Sequence, residues 1–431
     1  EGVRRDVRIV NLSLGNTLWY IDQLKNREPW GTKKVPISIP DDSLRVASEI
    51  DPGAFSYEFG EARNVELSIS RDILSKFTKD TNVINSGKMA FNYIGQQYRQ
   101  MEGKTIYIYR VQDKLIYDIL KTNKFERPLY FSATVGPDVY IGLDDYLVRG
   151  GLALRITPVK QPKGRTNDVD LSIMEKCLMH YDNSNNFHKE QYYGFKFRNL
   201  NNSNVFYDEV HRRSILGYRL LFITYAQALM SDKNDKKKAD QVLNTMDKLI
   251  SIKQFPPDWD VSAQISMLYS QVGNEAKARE YAKLSFDVAE KAVQYNQIMQ
   301  EMLFYELMGR YKGVYTTMAE MAAKMENYNA AQEKLTELQM QATTFMASIQ
   351  SNPSYAQYVG LIQENIRNLQ FQIIQYQLTA IEKKEGKAGR DKYLHERIQQ
   401  LQKSNNQDSV LLSRQLEFML SQQPQADTSM K

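Results

Sequence analysis

The sequence predicts a two-part chain, in which an N-terminal α/β sheet domain is followed by an all-α domain of helical repeats. The first observation is a change in composition: 13 of the 21 glycines and 8 of the 12 prolines lie before residue 166. Glycine and proline mark turns and interrupt helices, so this change predicts a loop-rich first part and a helical second part. The second observation is that apolar runs rich in β-branched and aromatic residues occur in the first part, and small residues at helical spacing in the second. We therefore expect domains at 1–165 and 166–421, with a flexible tail at 422–431.

Strands and helices alternate in the predicted first domain. Residues 7–14 form an apolar run typical of a buried strand, and residues 17–24 read as the start of a helix. An amphipathic helix is predicted at 113–123. Three further apolar runs predict strands, at 104–110, 128–135 and 152–160. The order strand, helix, strand predicts a partly parallel sheet covered by helices.

Paired helices dominate the predicted second domain. Ser266 is followed twelve residues later by Ala278, with Gly273 and Asn274 as a turn between them, and Tyr269 follows Ser266 on the same helix. This is the tetratricopeptide pattern, in which small residues let two antiparallel helices approach closely. Looser units carry their small or apolar anchors at Tyr225, Ala226, Leu229, Ala239 and Leu243, and at Met318, Ala319, Ala322, Ala331 and Leu335. The unequal spacing of these units predicts a divergent tetratricopeptide-like array, with an extra helix near 293–307 and further helices at 365–383 and 391–403.

Composition excludes several classes of protein. The net charge is only +5 over 431 residues, which argues against a dedicated nucleic-acid binder. The longest apolar-rich run, residues 220–230, is well short of the roughly 20 residues that cross a bilayer. The one cysteine, Cys177, cannot form an internal disulfide and reads as a small buried residue.

The sequence offers little self-contained catalytic chemistry. The four histidines do not show metal-ligand spacing, and we find neither a phosphate-binding glycine loop nor a nucleophile elbow. His180 and His188 flank an asparagine-rich stretch and are interpreted as solvated loop residues. The lysine run at 233–240 is interpreted as a solvated turn, with contact to anionic lipid headgroups as the alternative. We therefore assign no catalytic, cofactor-binding or metal-binding residue and no cofactor.

A few residues remain as a possible interaction surface. Asp144 and Asp145 would point to opposite faces of a strand, or would cap a helix start and favour its positive end, which is the better interpretation. Arg127 precedes a predicted buried strand, where an ion pair with a carboxylate is the simplest role. The candidate surface comprises Arg127, Asp144, Asp145, Arg149 and Tyr269.

Two blocks of sequence resemble the C-terminal, non-membrane region of the bacterial protein O-mannosyltransferase-like membrane proteins, a family common in Bacteroides-type bacteria. The first block matches the family pattern at Arg4, Asp6, Val7, Arg8, Asn11, Ser13, Asn16, Thr17, Trp19, Tyr20, Ile21, Asp22 and Gln23. The second matches it at Asn123, Glu126, Arg127, Pro128, Tyr130 and Phe131. The resemblance covers roughly residues 1–160. It implies that a transmembrane region and the first strand and helix of the sheet precede Glu1.

The resemblance implies an accessory role. The chain would be the non-catalytic part of a membrane-bound C-type glycosyltransferase-like protein at the periplasmic face of the bacterial inner membrane. Its partners would be the upstream transmembrane region of the same polypeptide and acceptor proteins or peptides, which it positions or recognises. Two alternatives stay open: a free tetratricopeptide-type interaction scaffold without an enzymatic partner, and an enzyme whose site lies in the α/β part.

Overall fold

In the computed structural model, the described residues are 7–44, 58–101, 103–161, 169–184, 192–299, 312–349, 356–404 and 406–421. They divide into two compact units, one within Glu1–Ile250 and the other within Ser251–Lys431. Small sheets occupy the N-terminal part and helices the rest, so the predicted class is confirmed. The change from sheet to helix follows the last strand, close to the predicted domain boundary at 165, which itself stays a prediction.

The first unit contains eight strands and eight helices among its described residues. The strands are β1 Glu58–Gly60, β2 Arg63–Ser68, β3 Lys88–Tyr93, β4 Gln96–Met101, β5 Lys104–Tyr109, β6 Leu129–Ser132, β7 Leu147–Gly150 and β8 Ala153–Ile156. The helices are α1 Leu18–Asn26, α2 Asp41–Leu44, α3 Arg71–Leu74, α4 Thr81–Ser86, α5 Val111–Asn123, α6 Leu171–Leu178, α7 Glu209–Lys233 and α8 Lys236–Leu249.

The strands form three small sheets, with the orders β1-β5-β4, β2-β3 and β6-β8-β7. Every strand pair in them is antiparallel, so the prediction of a partly parallel sheet is wrong. The physical reason lies in the connections. β4 and β5, and β7 and β8, are joined by two-residue hairpins, which can only link antiparallel strands. The predicted crossover helix, α5, leads from β5 into a strand of a different sheet and does not return to its own.

The strand predicted at 7–14 is also wrong. Val7 and Ile9 are 47% and 77% exposed, and residues 7–13 are irregular before a single 3-10 turn at Leu14–Asn16. Their backbone is tied by a side chain instead of a sheet, because the Tyr20 hydroxyl accepts from Asn11 N (2.9 Å) and donates to Ile9 O (3.2 Å). The helix predicted from residue 17 is confirmed as α1.

The N-terminal segment is held against α5. Leu24 of α1 and Val35 are buried together with Leu115 of α5. The buried Asp118 carboxylate accepts hydrogen bonds from Ser38 N (2.5 Å), Ser38 Oγ (2.6 Å) and Ile39 N (3.1 Å). The side chain of a helix residue thus accepts the backbone N–H groups of Ser38 and Ile39, which are not paired in a sheet.

The main core of the first unit lies between the sheets and α5. Met89, Phe91 and Tyr93 alternate with exposed residues along β3, as expected for a strand with one buried face. They pack with Leu120 of α5 and Phe131 of β6 in a single apolar cluster. Burial of this face fixes the register of β3 against β2.

The second unit is helical throughout the residues that the structure describes. Its helices are α9 Trp259–Gln271, α10 Glu275–Met299, α11 Lys312–Lys324, α12 Tyr328–Ile349, α13 Ala356–Gln402 and α14 Gln407–Ser421. The helix pair predicted around Ser266 is confirmed as α9 and α10. The buried Ser266 hydroxyl donates to Ala278 O (2.7 Å), and Gly273 in the turn has a φ of +89°. Close approach at two small residues therefore brings the two helices into hydrogen-bond contact.

The other predicted helix pairs are found as well. Their anchors are buried in α7 and α8 of the first unit and in α11 and α12 of the second. The helices predicted at 365–383 and 391–403 lie within α13, which breaks at Gly386 (φ +72°). Residues 293–299 of the predicted extra helix are helical, but they continue α10 and do not begin a separate helix. Residues 300–311 and the predicted tail at 422–431 lie outside the described residues. Among the described helices, none is both long and apolar enough to cross a bilayer.

Candidate functional site

The predicted surface residues Asp144 and Asp145 begin a one-turn 3-10 helix, Asp144–Tyr146, and both are exposed. The structure thus decides for a helix start over a strand, although neither carboxylate caps it with a hydrogen bond. Asp145 pairs with Lys160 at 3.7 Å, and its carbonyl accepts from Gln161 N (2.8 Å). An exposed pair at this distance contributes little stability, so these carboxylates remain available to solvent.

Arg127 and Arg149 are half-buried and serve the local backbone. The Arg127 guanidinium donates to Lys34 O (2.8 Å), so in the described part of the chain its partner is a carbonyl and not the expected carboxylate. Arg149 lies in β7, where its carbonyl accepts from Asp170 N (2.8 Å) at the start of α6.

Tyr269 is a correction, because its side chain is completely buried. Its ring stacks on that of Tyr281 across the α9–α10 pair, with centroids 5.8 Å apart. A tyrosine at the packing position of a helix pair belongs to the core and offers no surface to a partner. The predicted residues therefore do not converge: Asp144, Asp145 and Arg149 lie close in sequence, Arg127 contacts the N-terminal segment, and Tyr269 lies in the other unit.

A cleft of about 670 Å³ lies in the first unit between α6, the end of α7 and the start of α8. It is lined by Leu171, Ser172, Glu175, Lys176, His180, Tyr225, Leu229, Lys233, Asn234, Asp235 and Lys238. The helices meet here for local reasons. Asp170 caps α6 by accepting from Ile173 N (3.0 Å), and Asn234, in the left-handed conformation, ends α7. Asp235 then caps α8 by accepting from Lys238 N (3.0 Å), so the turn between α7 and α8 is fixed at both ends.

Glu175 organises one wall of this cleft. Its carboxylate accepts a hydrogen bond from the buried Tyr225 hydroxyl and pairs with Lys238 Nζ at 2.8 Å. Burial alone would raise the pKa of Glu175, but the Lys238 ammonium and the Tyr225 hydroxyl outweigh it and hold that pKa below its usual value. Burial, and then the hydrogen bond to Glu175, raise the pKa of Tyr225. The group is therefore an ionised carboxylate held by two donors from α7 and α8.

Two lysines of the cleft are not neutralised in this way. Within the part of the chain that the structure describes, neither Lys176 nor Lys233 forms an ion pair. The Lys176 ammonium lies 5.5 Å from the Tyr193 ring centroid, which is a cation–π contact. His180 is exposed, lies two residues beyond the end of α6 and lines the same cleft.

Sequence reasoning found the lysine run at 233–240 but interpreted it as a solvated turn. In the structure two of its lysines, Lys233 and Lys238, line the cleft, and Lys238 pairs with Glu175 of α6. Glu175 and Lys176 were missed, and Tyr225 was predicted only as an anchor of a helix pair and not as a residue of a site. A single charged residue or tyrosine on an amphipathic helix carries no distinguishing pattern. His188 lies outside the described residues. Among the residues that are described, no cluster of three potential metal ligands occurs. Cys177 is buried as predicted, and burial, with the Asp170 carboxylate, raises the pKa of its thiol to about 11.

Comparison with known proteins gives one relationship. Residues 1–96 and 78–173 match the family model described as TMEM260-associated domain 2. No curated protein matches the chain, and no solved structure matches it. The matched segments together cover residues 1–173, which include all eight strands and part of α6. The sheet-containing part of this chain is therefore related to a domain that is associated with TMEM260.

Proposed function

We propose that the chain is the non-catalytic region of a membrane-bound, C-type glycosyltransferase-like protein that acts in protein O-glycosylation. In this role it positions or recognises the acceptor polypeptide on the periplasmic side of the bacterial inner membrane. The observation that carries the proposal is the match of residues 1–173 to TMEM260-associated domain 2. TMEM260 is described as a protein O-mannosyltransferase, so an accessory role beside such an enzyme is the simplest function for a domain associated with it.

The helix pairs support the polypeptide part of the proposal. Tetratricopeptide pairs stack into concave surfaces that accommodate extended peptides, and α9 with α10 carries the small-residue contact of such a pair. On α9, the first helix of the pair, Met267 is 43% exposed although it lies among buried neighbours. An exposed apolar side chain on a first helix is a suitable contact for an acceptor segment.

The first test asks whether the chain works with a membrane transferase. The gene is deleted, and the mannose content of periplasmic glycoproteins is measured by mass spectrometry after complementation. We expect the full gene to restore glycosylation and a gene lacking the region encoding residues 1–431 to fail. The native protein should also stay in the carbonate-washed membrane pellet as a band much larger than this 431-residue chain. Normal glycosylation without the region would overturn the proposal.

The second test addresses polypeptide recognition in the same cells. A photo-crosslinking amino acid replaces Met267 on α9, and as a matched control Lys283 on α10, whose side chain is also exposed. We expect crosslinks from position 267 to glycoproteins of the organism and none from position 283. Equal labelling from both positions would contradict recognition by the first helix of the pair.

A free tetratricopeptide-type scaffold is the second candidate. It is favoured by the compactness of the helical unit Ser251–Lys431. A band of about the size of this chain in the soluble extract, with unchanged glycosylation in the deletion strain, would favour the scaffold.

A further inference from the structure

We propose that the cleft between α6, α7 and α8 binds a phosphate group carried by an organic ligand. This inference is independent of the proposed function, because it uses only the side chains that line the cleft. The ligand is a phosphomonoester or phosphodiester, and it belongs either to a lipid headgroup or to a free phosphorylated small molecule.

The charges left in the cleft carry the inference. Its two carboxylates are both engaged: Glu175 is held by Lys238 and Tyr225, and Asp235 caps the backbone of α8. Lys238 is likewise engaged by Glu175. Two ammonium groups therefore remain for a ligand, Lys176 from α6 and Lys233 from α7, and they approach from different helices. Counted together, the three lysines and two carboxylates that line the cleft leave it with a net positive charge of one. Two ammonium groups without a carboxylate partner, in a cleft of net positive charge, favour an anion with one or two negative charges, as phosphodiesters and phosphomonoesters have.

The shape and lining of the cleft suit a phosphate with an organic substituent. A volume of about 670 Å³ lies within the range of pockets that hold small molecules and is far more than a bare anion needs. Leu171 and Leu229 give an apolar patch for the organic part, while Ser172 and Asn234 add polar groups. The ligand therefore contacts lysines through its oxygens and leucines through its carbon atoms.

Phosphate fits better than carboxylate for reasons of donor geometry. Lysine recognises phosphate as a point charge, and a phosphate offers more acceptor oxygens than a carboxylate, which two lysines from separate helices can share. A carboxylate would be matched more naturally by a planar arginine fork. Among the residues that line the cleft there is no arginine.

The test measures binding of inorganic phosphate and glycerol phosphate to the whole chain by titration calorimetry, against acetate at equal ionic strength. The variants are the double substitution Lys176→Gln and Lys233→Gln, and the matched control Lys248→Gln. Lys248 is an exposed lysine in the last turn of α8, about 15 Å along the helix from Lys238. We expect the double variant to weaken phosphate binding at least tenfold and the control to leave it within twofold. Circular dichroism checks that both variants keep the helical content of the parent chain.

Vesicle flotation separates the two sources of phosphate. One vesicle contains about one-third anionic phospholipid in phosphatidylcholine, and the other contains phosphatidylcholine alone. If the parent chain floats with the anionic vesicles and the double variant does not, the phosphate belongs to a lipid headgroup. Glycerol phosphate binding without flotation supports a free phosphorylated molecule. The proposal is overturned if the chain binds neither the two phosphate compounds nor the anionic vesicles. It is also overturned if acetate binds as tightly as phosphate, or if Lys248→Gln weakens phosphate binding as much as the double variant does.

Discussion

Gly142 is the residue whose replacement should damage the first unit most specifically. It has a φ of +90°, and a Cβ built there would lie 2.0 Å from the backbone oxygen of Asn92 in β3. Gly103, in the β4–β5 hairpin, has a similar φ of +79° but open space around its Cβ position. The pair Gly142→Ala and Gly103→Ala therefore separates the cost of the steric clash from the cost of the backbone conformation.

The magnitude follows from these two contributions. Alanine in the left-handed region costs about 1–2 kcal/mol at either site. At Gly142 the clash is with the backbone of Asn92, which is held in β3 by its pairing with Asn64 of β2 and cannot readily rotate away. Forcing such a shift in a packed region costs about 1–3 kcal/mol more. Because domains are stable by only about 5–15 kcal/mol, a total loss of roughly 2–5 kcal/mol should remove a large fraction of the stability of the first unit.

Native-state hydrogen exchange with mass spectrometry measures the stability of each unit separately in the two variants. Peptides covering β3 should exchange about 5–150-fold faster in Gly142→Ala than in Gly103→Ala, since the clash alone adds about 1–3 kcal/mol and each 1.4 kcal/mol is about a factor of ten. Peptides covering α11 and α12 in the other unit report whether the second unit is unaffected. Equal exchange of β3 in the two variants would show that the contact with Asn92 does not constrain the loop, and the reasoning would be wrong.

Three further predictions each rest on a single side chain. Replacing Asp118 by Asn should lower the free energy of unfolding of the first unit, measured in urea titrations, by about 2–4 kcal/mol. One of the three hydrogen bonds that Ser38 and Ile39 donate to this side chain loses its acceptor, and the other two are no longer made to a charged group. A loss below about 1 kcal/mol would contradict the role of Asp118 in holding the backbone of Ser38 and Ile39. Cys177 should resist alkylation at pH 8 in the folded chain and react on unfolding, since burial raises its pKa to about 11; rapid native labelling would argue against its burial. The pKa of Glu175 is lower in the folded chain than its ordinary value of 4.5. Its pairing with Lys238 therefore stabilises the fold at a pH above 4.5, and this stabilisation is lost as the pH falls through the lower pKa of the folded chain. Thermal unfolding should accordingly depend less on pH below about 4.5 in Lys238→Gln than in the parent chain, and an unchanged acid dependence would remove Glu175 from that role.

The candidate site could not be predicted from the sequence. Asp144 and Asp145 were correctly placed at a helix start, because paired carboxylates at such a position follow a local rule. Tyr269 was assigned to a surface although it belongs to the helix-pair pattern, whose positions pack between the helices, and the structure places its ring against Tyr281. The cleft depends on residues about 60 positions apart, Glu175 and Lys238, and nothing in the local pattern around either residue indicates the other.

The sequence by itself determined the helix pairs. Their signature, as in Ser266 and Ala278, is a short-range spacing of small residues across one turn, and the close approach of two neighbouring helices follows directly from it. Tertiary structure alone decided which strands pair and what becomes of the N-terminal segment. An apolar run such as residues 7–14 has strand character, but a strand needs a partner for its backbone, and here Tyr20 satisfies part of that backbone in place of a sheet. The backbone hydrogen bonds of a strand need a partner strand that is often distant in the sequence, whereas those of a helix form between residues of the helix itself. This difference explains why the helix pairs could be predicted from the sequence and the strand pairing could not.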